Sequence, residues 1–157
     1  MAKSTHSYNP DDRNASILIN INGELVPRER AMISVFDSGF ILGDGVWEGL
    51  RVHGGAIPFL GRHLKRLWEG AAALDMDLGL SQDDLTRRLF DTVSANNMTD
   101  HVHIRLMVTR GIKSTPYQDP RVTIGPPTVV IIPEYKEPDP SLNDRCLLYT
   151  SPSPRDA

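Results

Sequence analysis

The sequence predicts an α+β fold, because its two clear helical segments follow one another directly instead of alternating with strands. Apolar residues recur at helical spacing from about residue 60 to 75, and a second apolar stripe follows Ser81. Segments with the period of two that is typical of strands precede and follow this pair. A doubly wound α/β architecture would place a helix between successive parallel strands, so it is not predicted.

Short segments precede the first long strand. Residues 17–21 form a predicted strand, Asn22-Gly23 is a strong hairpin turn signal, and the return strand ends at Pro27. Residues 33–36 are a possible strand, and the apolar patch at 40–42 lies in a predicted glycine-punctuated loop. The sequence therefore predicts a hairpin followed by an irregular connection.

Two longer segments alternate along the chain. Between residues 46 and 53, one face carries Val46, Glu48, Leu50 and Val52, and the other carries Trp47, Gly49, Arg51 and His53. Residues 101–110 place His103 and Arg105 on the face opposite their aliphatic side chains. Each segment is predicted to be a strand with one apolar and one partly polar face.

Start and stop signals bound the helices and the last strand. Ser81 with Asp84 is a capping-box signature, and Asn96-Asn97 is predicted to end the second helix. Residues 111–127 are predicted to be a long loop. Residues 128–132 are a continuous apolar, β-branched run, which indicates a buried strand.

Composition indicates a chain that forms a packed core. The apolar fraction is 39%, the charged fraction is 24% and the net charge is −3, which argues against global disorder and against a general nucleic-acid binder. No apolar run approaches a membrane span and no signal-peptide h-region is seen, so a cytoplasmic location is expected. The single cysteine and the spacing of the histidines predict no metal site.

The ends of the chain differ in composition from its middle. Residues 1–16 are polar and predicted to be poorly ordered, and a single domain is predicted over residues 17–137. Residues 138–145 read as a linker. Residues 146–157 resemble the translation of a transposase-type sequencing adapter, so we interpret them as an artefact that carries no fold information.

Two groups of residues could carry chemistry. A mid-strand glycine weakens a sheet unless another group approaches it closely, so Gly49 with Trp47, Arg51, His103 and Arg105 suggests a polar cleft. Solvated sheet-face residues are the alternative. His63 and Arg66, one helical turn apart, could hold an anion, with a solvated basic helix face as the alternative.

Several segments of this sequence resemble class IV, or fold-type IV, pyridoxal-phosphate-dependent aminotransferases. This family includes branched-chain and D-amino-acid aminotransferases, R-selective amine transaminases and aminodeoxychorismate lyase. The resemblance lies in residues 22–27, 33–40 and 43–51, in the helix motif His63-Leu64-Lys65-Arg66-Leu67 and in the strand at 104–111. It implies that residues 17–137 are the small N-terminal domain of this fold.

The resemblance also implies roles for individual residues. Arg66 matches the arginine that binds the cofactor phosphate. The remaining matched positions are implied to bind substrate, and Leu42 would reach the site of a neighbouring subunit in a homodimer: Leu42, Trp47, Gly49, Arg51, His103 and Arg105. Arg105 keeps the branched-chain pattern, whereas Leu42, Trp47 and His103 depart from it.

The lysine that holds the cofactor in this family has no match in the chain. Its four lysines are in other contexts, so the chain is expected to be an N-terminal part of the enzyme and inactive by itself. The expected function of the complete protein is transfer of an amino group from a branched-chain-like amino acid to a 2-oxo acid, with pyridoxal 5'-phosphate as cofactor.

Several alternatives remain open within and outside this family. An R-selective amine transaminase, a D-amino-acid transaminase and aminodeoxychorismate lyase are alternatives of the same family. Lys113–Tyr117 lack the Arg-x-His pair of the D-amino-acid enzymes. A non-catalytic anion-binding α+β module is the alternative from another class.

Overall fold

A five-stranded antiparallel sheet organises the chain, whose computed structural model describes residues 10–137. Its strands are β1 (Leu18–Ile21), β2 (Glu24–Pro27), β3 (Gly45–Val52), β4 (Val102–Thr109) and β7 (Thr128–Tyr135). They are ordered β2-β1-β7-β4-β3, so β4 lies inside the sheet and β3 lies at its edge. The predicted hairpin, the two alternating strands and the last strand are confirmed.

Helices and a small second ladder complete the fold. The α-helices are α1 (Ser38–Leu42), α2 (Leu60–Ala73) and α3 (Gln82–Ala95), and 3-10 turns occupy Asp12–Ser16, Arg28–Arg30 and Pro120–Val122. Strands β5 (Ile112–Lys113) and β6 (Thr123–Ile124) pair with each other inside the segment predicted to be a loop. The predicted α+β class is confirmed.

The core lies between one face of the sheet and the helices α2 and α3. Every second residue of β4 has a fully buried side chain: Val102, Ile104, Leu106 and Val108. Leu85 and Leu89 of α3 are equally inaccessible, and Leu64 and Leu67 of α2 are nearly so. The period of two in the strand and the helical period in α2 and α3 therefore meet in a single apolar layer.

Asn96 fastens α3 to the sheet. Its side-chain amide donates to the carbonyl oxygens of Leu18 and Thr92 at 2.9 and 2.8 Å, and its Oδ1 accepts from the backbone N–H of Leu18 at 2.7 Å. At the other end of α3, Ser81 Oγ accepts from the backbone N–H of Asp84 at 3.0 Å. The predicted start and stop signals are confirmed, and the stop residue also joins the helix to β1.

The last strand and the N-terminal segment extend further than the sequence indicates. β7 continues through Pro133 to Tyr135, where β1 no longer runs beside it. Proline is tolerated there because no neighbouring strand needs its missing N–H. The Asn14 side chain donates to the carbonyl oxygen of Tyr135 and accepts from its N–H, at 2.9 and 2.8 Å. Regular structure is therefore present before residue 17, in the 3-10 turn Asp12–Ser16. Residues 1–9 and 138–157, which include the proposed linker and adapter segment, lie outside the described residues.

The connection before β3 differs most from the prediction. Residues 33–36 do not form a strand, because only one hydrogen bond, from Lys113 N–H to the Phe36 carbonyl, and one isolated bridge, Asp37 with Ile112, join this segment to β5. The predicted loop at 37–45 contains α1, which Asp37 caps by accepting from the N–H of Gly39 at 2.9 Å. Asp37 also accepts from the Thr109 hydroxyl at 3.0 Å. This short helix thus depends on a tertiary contact that local sequence does not reveal.

We predict that Asn96→Ala lowers the free energy of unfolding by about 1–3 kcal/mol, because it leaves partly buried backbone groups of Leu18 without partners. Chemical denaturation of the purified chain measures the change. Ser94→Ala, at an exposed position of the same helix, is the matched control. Equal stability of the two variants would contradict this role of Asn96.

Candidate functional site

Strand β3 presents different residues on its two faces, and the candidate site is built around it. Leu50 and Val52 point into the core, together with Glu48, whereas Trp47 and Arg51 are exposed on the opposite face. In the ladder with β4, Gly49 lies opposite Arg105 and Arg51 lies opposite His103. This face, composed of Trp47, Gly49, Arg51, His103 and Arg105, is called the open face below.

Arg105 stacks on Trp47 across the open face. Its guanidinium carbon lies 4.1 Å from the centroid of the indole ring, which is a cation–π contact. The prediction that these two side chains share one face of the sheet is therefore confirmed. Within residues 10–137, Arg105 forms no hydrogen bond or ion pair, so its N–H groups are available to an anion.

His103 lies partly buried between cationic groups. Burial lowers the pKa of its imidazole to about 4, and the positive charges of Arg51, Lys136 and Arg105 act in the same direction. A Cβ atom added at Gly49 would lie 3.2 Å from His103 Nε2. Gly49 therefore leaves room for the imidazole, which explains the mid-strand glycine without a ligand.

Arg51 is tied to the end of the last strand. Its Nη1 donates to the carbonyl oxygen of Lys136 at 2.6 Å, although the side chain is exposed. This contact places a second guanidinium at the edge of the open face. Arg51 has N–H groups left over after this hydrogen bond, so it too can contact an anion.

Arg66 lies on the other side of the sheet from Arg105. Its Nε and Nη2 donate to the two carboxylate oxygens of Glu48 at 2.6 and 2.5 Å. His63 Nδ1 lies 2.9 Å from the same carboxylate. Donation by Arg66 lowers the pKa of Glu48 below its ordinary value even though burial opposes this, and the same contact raises the pKa of Arg66. The structure thus divides the candidate residues between two faces.

Glu48 is a site residue that the candidate set omits. The alternation of β3 places it among aliphatic residues, on the face that contacts α2. A carboxylate on such a face needs a partner because burying an unpaired charge is costly. This rule, together with the basic pair His63 and Arg66 on the following helix, is the sequence signal from which Glu48 could have been identified.

A second ion pair holds the turn that leads into β3. Arg110 donates through Nε to Asp44 at 2.7 Å, and through its other nitrogens to the carbonyl oxygens of Leu74 and Asp75 at 2.8 and 2.9 Å. It therefore joins the start of β3 to the end of α2. Leu42, at the end of α1, is 39% exposed, which leaves its side chain accessible for contact outside this chain.

Neither a metal-binding cluster nor a membrane-spanning helix occurs in the part of the chain that the structure describes. Among residues 10–137, no group of three histidine, cysteine, aspartate or glutamate side chains is arranged to hold a metal ion. No helix in this described range is both long and apolar enough to cross a bilayer.

We predict that His103 stays neutral down to about pH 4. A histidine in the unfolded chain takes up its proton near pH 6.5, so the folded state binds fewer protons between these values and this residue lowers stability as the pH falls from about 6.5 to about 4. NMR titration of the His103 ring protons tests the first statement. Chemical denaturation at several pH values tests the second.

The matched control for this prediction is His101, which is exposed and has a positive φ that asparagine tolerates. His103→Asn should flatten the stability profile in that pH window, and His101→Asn should flatten it much less. A His103 titration midpoint near 6.5 would show that burial and the neighbouring cations do not act on the imidazole as described.

Comparisons with known proteins match this chain to one family. The family model of amino-transferase class IV matches residues 45–156. A branched-chain-amino-acid aminotransferase-like protein of Arabidopsis thaliana is 40% identical over 129 residues, which cover 82% of this chain and 23% of that protein. The chain thus spans about a quarter of that relative's length.

Solved structures show the same similarity at the level of the fold. A branched-chain amino acid aminotransferase of T.th., complexed with N-(5'-phosphopyridoxyl)-L-glutamate, is 27% identical with a TM-score of 0.67, covering 78% of this chain and 41% of that one. A 4-amino-4-deoxychorismate lyase of Pseudomonas aeruginosa is 28% identical with a TM-score of 0.64, covering 79% and 42%. The fold is that of the N-terminal part of fold-type IV enzymes, and the chain belongs to the class IV aminotransferase family.

Proposed function

We propose that this chain is the small domain of a pyridoxal-phosphate-dependent transaminase that moves an amino group from a branched-chain-like amino acid to a 2-oxo acid. The observation that carries the proposal is the presence of two arginines with free donors, Arg66 on the α2 side of the sheet and Arg105 on the open face. Such an enzyme binds two anions, the cofactor phosphate and the substrate carboxylate. Arginine suits both because its donors form a fixed planar fork.

The environment of Arg66 suits a phosphate. Its side chain is 69% exposed, and its contacts with Glu48 use two of the five N–H groups that a guanidinium has. Nη2 also lies 3.3 Å from His63 Nδ1, so the two N–H groups of Nη1 would hold the phosphate. When bound, pyridoxal phosphate supplies the electron-withdrawing ring that lets an amino group leave one carbon and join another.

The open face suits an amino-acid substrate. Arg105 would bind its carboxylate, and the ring of Trp47, which is 62% exposed, would form an apolar wall for an aliphatic side chain. His103 would be a neutral hydrogen-bonding group there at physiological pH, since its pKa is about 4. Arg51 would add positive charge at the edge of the same face. Gly49, which has no side chain, would leave space for the substrate between these residues.

The lysine that would bond covalently to the cofactor is not among the four in this chain. Lys65 is exposed and pairs with Glu69 on the helix surface, at 3.7 Å. Lys113 is 1% exposed and donates to the carbonyl oxygen of Asp119 at 3.1 Å. Lys136 is exposed, and Lys3 lies outside the described residues. We therefore propose that the chain does not transaminate by itself.

A second copy of the chain is the proposed partner. Large apolar side chains are exposed along the segment before β3 and on α1: Met32, Ile33, Val35, Phe36, Phe40 and Leu42. The backbone N–H of Lys113 donates to the carbonyl of Phe36, so Ile112 and Ile124, which are also exposed and face each other across the β5–β6 ladder, extend this surface. Such a number of exposed apolar side chains close together in sequence supports a homodimer in which Leu42 faces the neighbouring site.

We predict that the complete protein encoded by the same gene binds pyridoxal phosphate and forms a dimer. Absorbance titration measures cofactor affinity, and light scattering measures the mass. Leucine or valine should change the cofactor spectrum, whereas a D-amino acid, an R-amine or aminodeoxychorismate as the preferred reactant would select the corresponding alternative. A protein that does not bind the cofactor would contradict the proposal and favour the anion-binding module.

Substitutions in α2 test the role of Arg66 in cofactor binding by the same absorbance titration. Arg66→Ala should weaken cofactor binding by roughly ten- to a hundredfold, the value of a lost hydrogen bond to a charged group. Arg62→Ala and Lys65→Ala are matched controls, since both residues are exposed on the same helix. Their effects should be small and should decrease with added salt. Equal weakening in all three variants would show that α2 acts only as a basic surface.

A further inference from the structure

Glu48 is a buried carboxylate whose partners are donors on α2. Its side chain is 4% exposed, whereas the side chain of Arg66 is 69% exposed. Packing therefore fixes the carboxylate but not the guanidinium. The position of the Arg66 head group depends on the two hydrogen bonds that it donates to Glu48, at 2.6 and 2.5 Å.

Stability alone does not explain this carboxylate. The surrounding face is apolar, with Leu50 fully buried and Leu64 and Leu67 nearly so. A carboxylate buried in such surroundings gains little over a well-packed apolar side chain, because removing its charge from water is costly. The arrangement does gain orientation, because two parallel N–H···O bonds fix the plane of a guanidinium as well as its position.

The hydrogen-bonding geometry leaves one edge of Arg66 free. Glu48 takes the edge formed by Nε and Nη2, and Nη2 also lies 3.3 Å from His63 Nδ1, so the two N–H groups of Nη1 are the donors that no residue in the 10–137 range contacts. These two donors lie at the outer end of the guanidinium, where they can still contact the oxygens of a phosphate. His63 donates to the same carboxylate when its Nδ1 carries a proton, which fixes Glu48 from a second side.

We propose that Glu48 is a positioning residue for cofactor binding, which presets the guanidinium of Arg66 so that its free end faces the phosphate of pyridoxal phosphate. This inference rests on the proposed function, and it adds a residue that does not itself touch the cofactor. The negative charge of Glu48 repels a phosphate and so weakens its binding. The hydrogen bonds that Glu48 accepts orient Arg66 and so strengthen phosphate binding. The two effects have opposite signs, so a variant that removes the charge shows which of them prevails.

The test compares Glu48→Gln and Glu48→Asp with the control Glu69→Gln, an exposed acid on α2. Glutamine keeps the length and loses the charge, and aspartate keeps the charge and shortens the reach. In the complete protein, we measure the affinity for pyridoxal phosphate and for pyridoxal, which lacks the phosphate. In the 157-residue chain, we measure the Arg66 Nε–H signal by NMR.

Positioning predicts that both Glu48 variants weaken pyridoxal phosphate binding by about tenfold, the lower end of the range for loss of a group that orients a ligand-binding residue. Pyridoxal binding should change little, and Glu69→Gln should leave both affinities unchanged. The Arg66 Nε–H signal should be slow to exchange with solvent in the parent and fast in both Glu48 variants. A general loss of structure would instead weaken the binding of both pyridoxal phosphate and pyridoxal.

Three results would overturn the inference. Unchanged or tighter phosphate binding in Glu48→Gln would show that Glu48 acts only as a counter-charge, and equal losses for pyridoxal and pyridoxal phosphate would show a purely structural role. An Arg66 Nε–H signal that is the same in parent and variants would show that Glu48 does not fix the guanidinium. A parent protein that binds no cofactor but keeps the protected Nε–H signal would contradict the proposed function and remove the phosphate from this inference.

Discussion

The buried carboxylate of Glu48 is the constraint on which the arrangement around the edge strand depends. The period of two in β3 turns this residue toward the helices and its neighbours Trp47 and Gly49 away from them. A charge on that face requires donors, and α2 supplies them from His63 and Arg66, which are three residues apart and so lie on one side of the helix. The same contact thus fixes where α2 sits along β3.

A second polar contact fixes the other end of this pair of elements. Arg110 connects Asp44, at the entry to β3, with the carbonyl oxygens of Leu74 and Asp75 in the turn that follows α2. With two anchors, α2 and β3 are held in register. The pairing of β3 with β4 determines the arrangement of the open face: Gly49 lies beside His103, and Arg105 stacks on Trp47. Arginine donors consequently lie on both sides of one edge strand, and the proposed transaminase would use them for its two anions.

Periodicity was sufficient to predict the elements that form the core. The stripes of α2 and α3 and the alternation of β3 and β4 are set by burial, so the sequence records them directly. Elements that depend on distant partners were missed. The short helix α1 needs Thr109 beside its Asp37 cap, and the extension of β7 past Pro133 needs Asn14 at Tyr135. Neither partner is near in sequence, so no local pattern could have indicated them.

The candidate site was predictable in part for the same reason. Alternation correctly placed Trp47 and Arg105 on a common face, because that inference needs only the period of a strand. It could not show that Arg66 lies across the sheet from them, since the side on which a helix packs is a tertiary property. Glu48 was assigned to an aliphatic face, and only its contact with Arg66 reveals why a carboxylate is there.

The most direct measurement of this central interaction is a carbon-detected NMR titration of the Glu48 carboxylate. Hydrogen bonds from Arg66, and then from His63, lower its pKa, while burial raises it. The account predicts a midpoint below the ordinary glutamate value of about 4.3, so that the ion pair stabilises the fold above that pH and is lost as the pH falls through the lowered midpoint. A midpoint at or above about 4.3 would mean that burial outweighs the pairing, and would contradict the role assigned to Glu48.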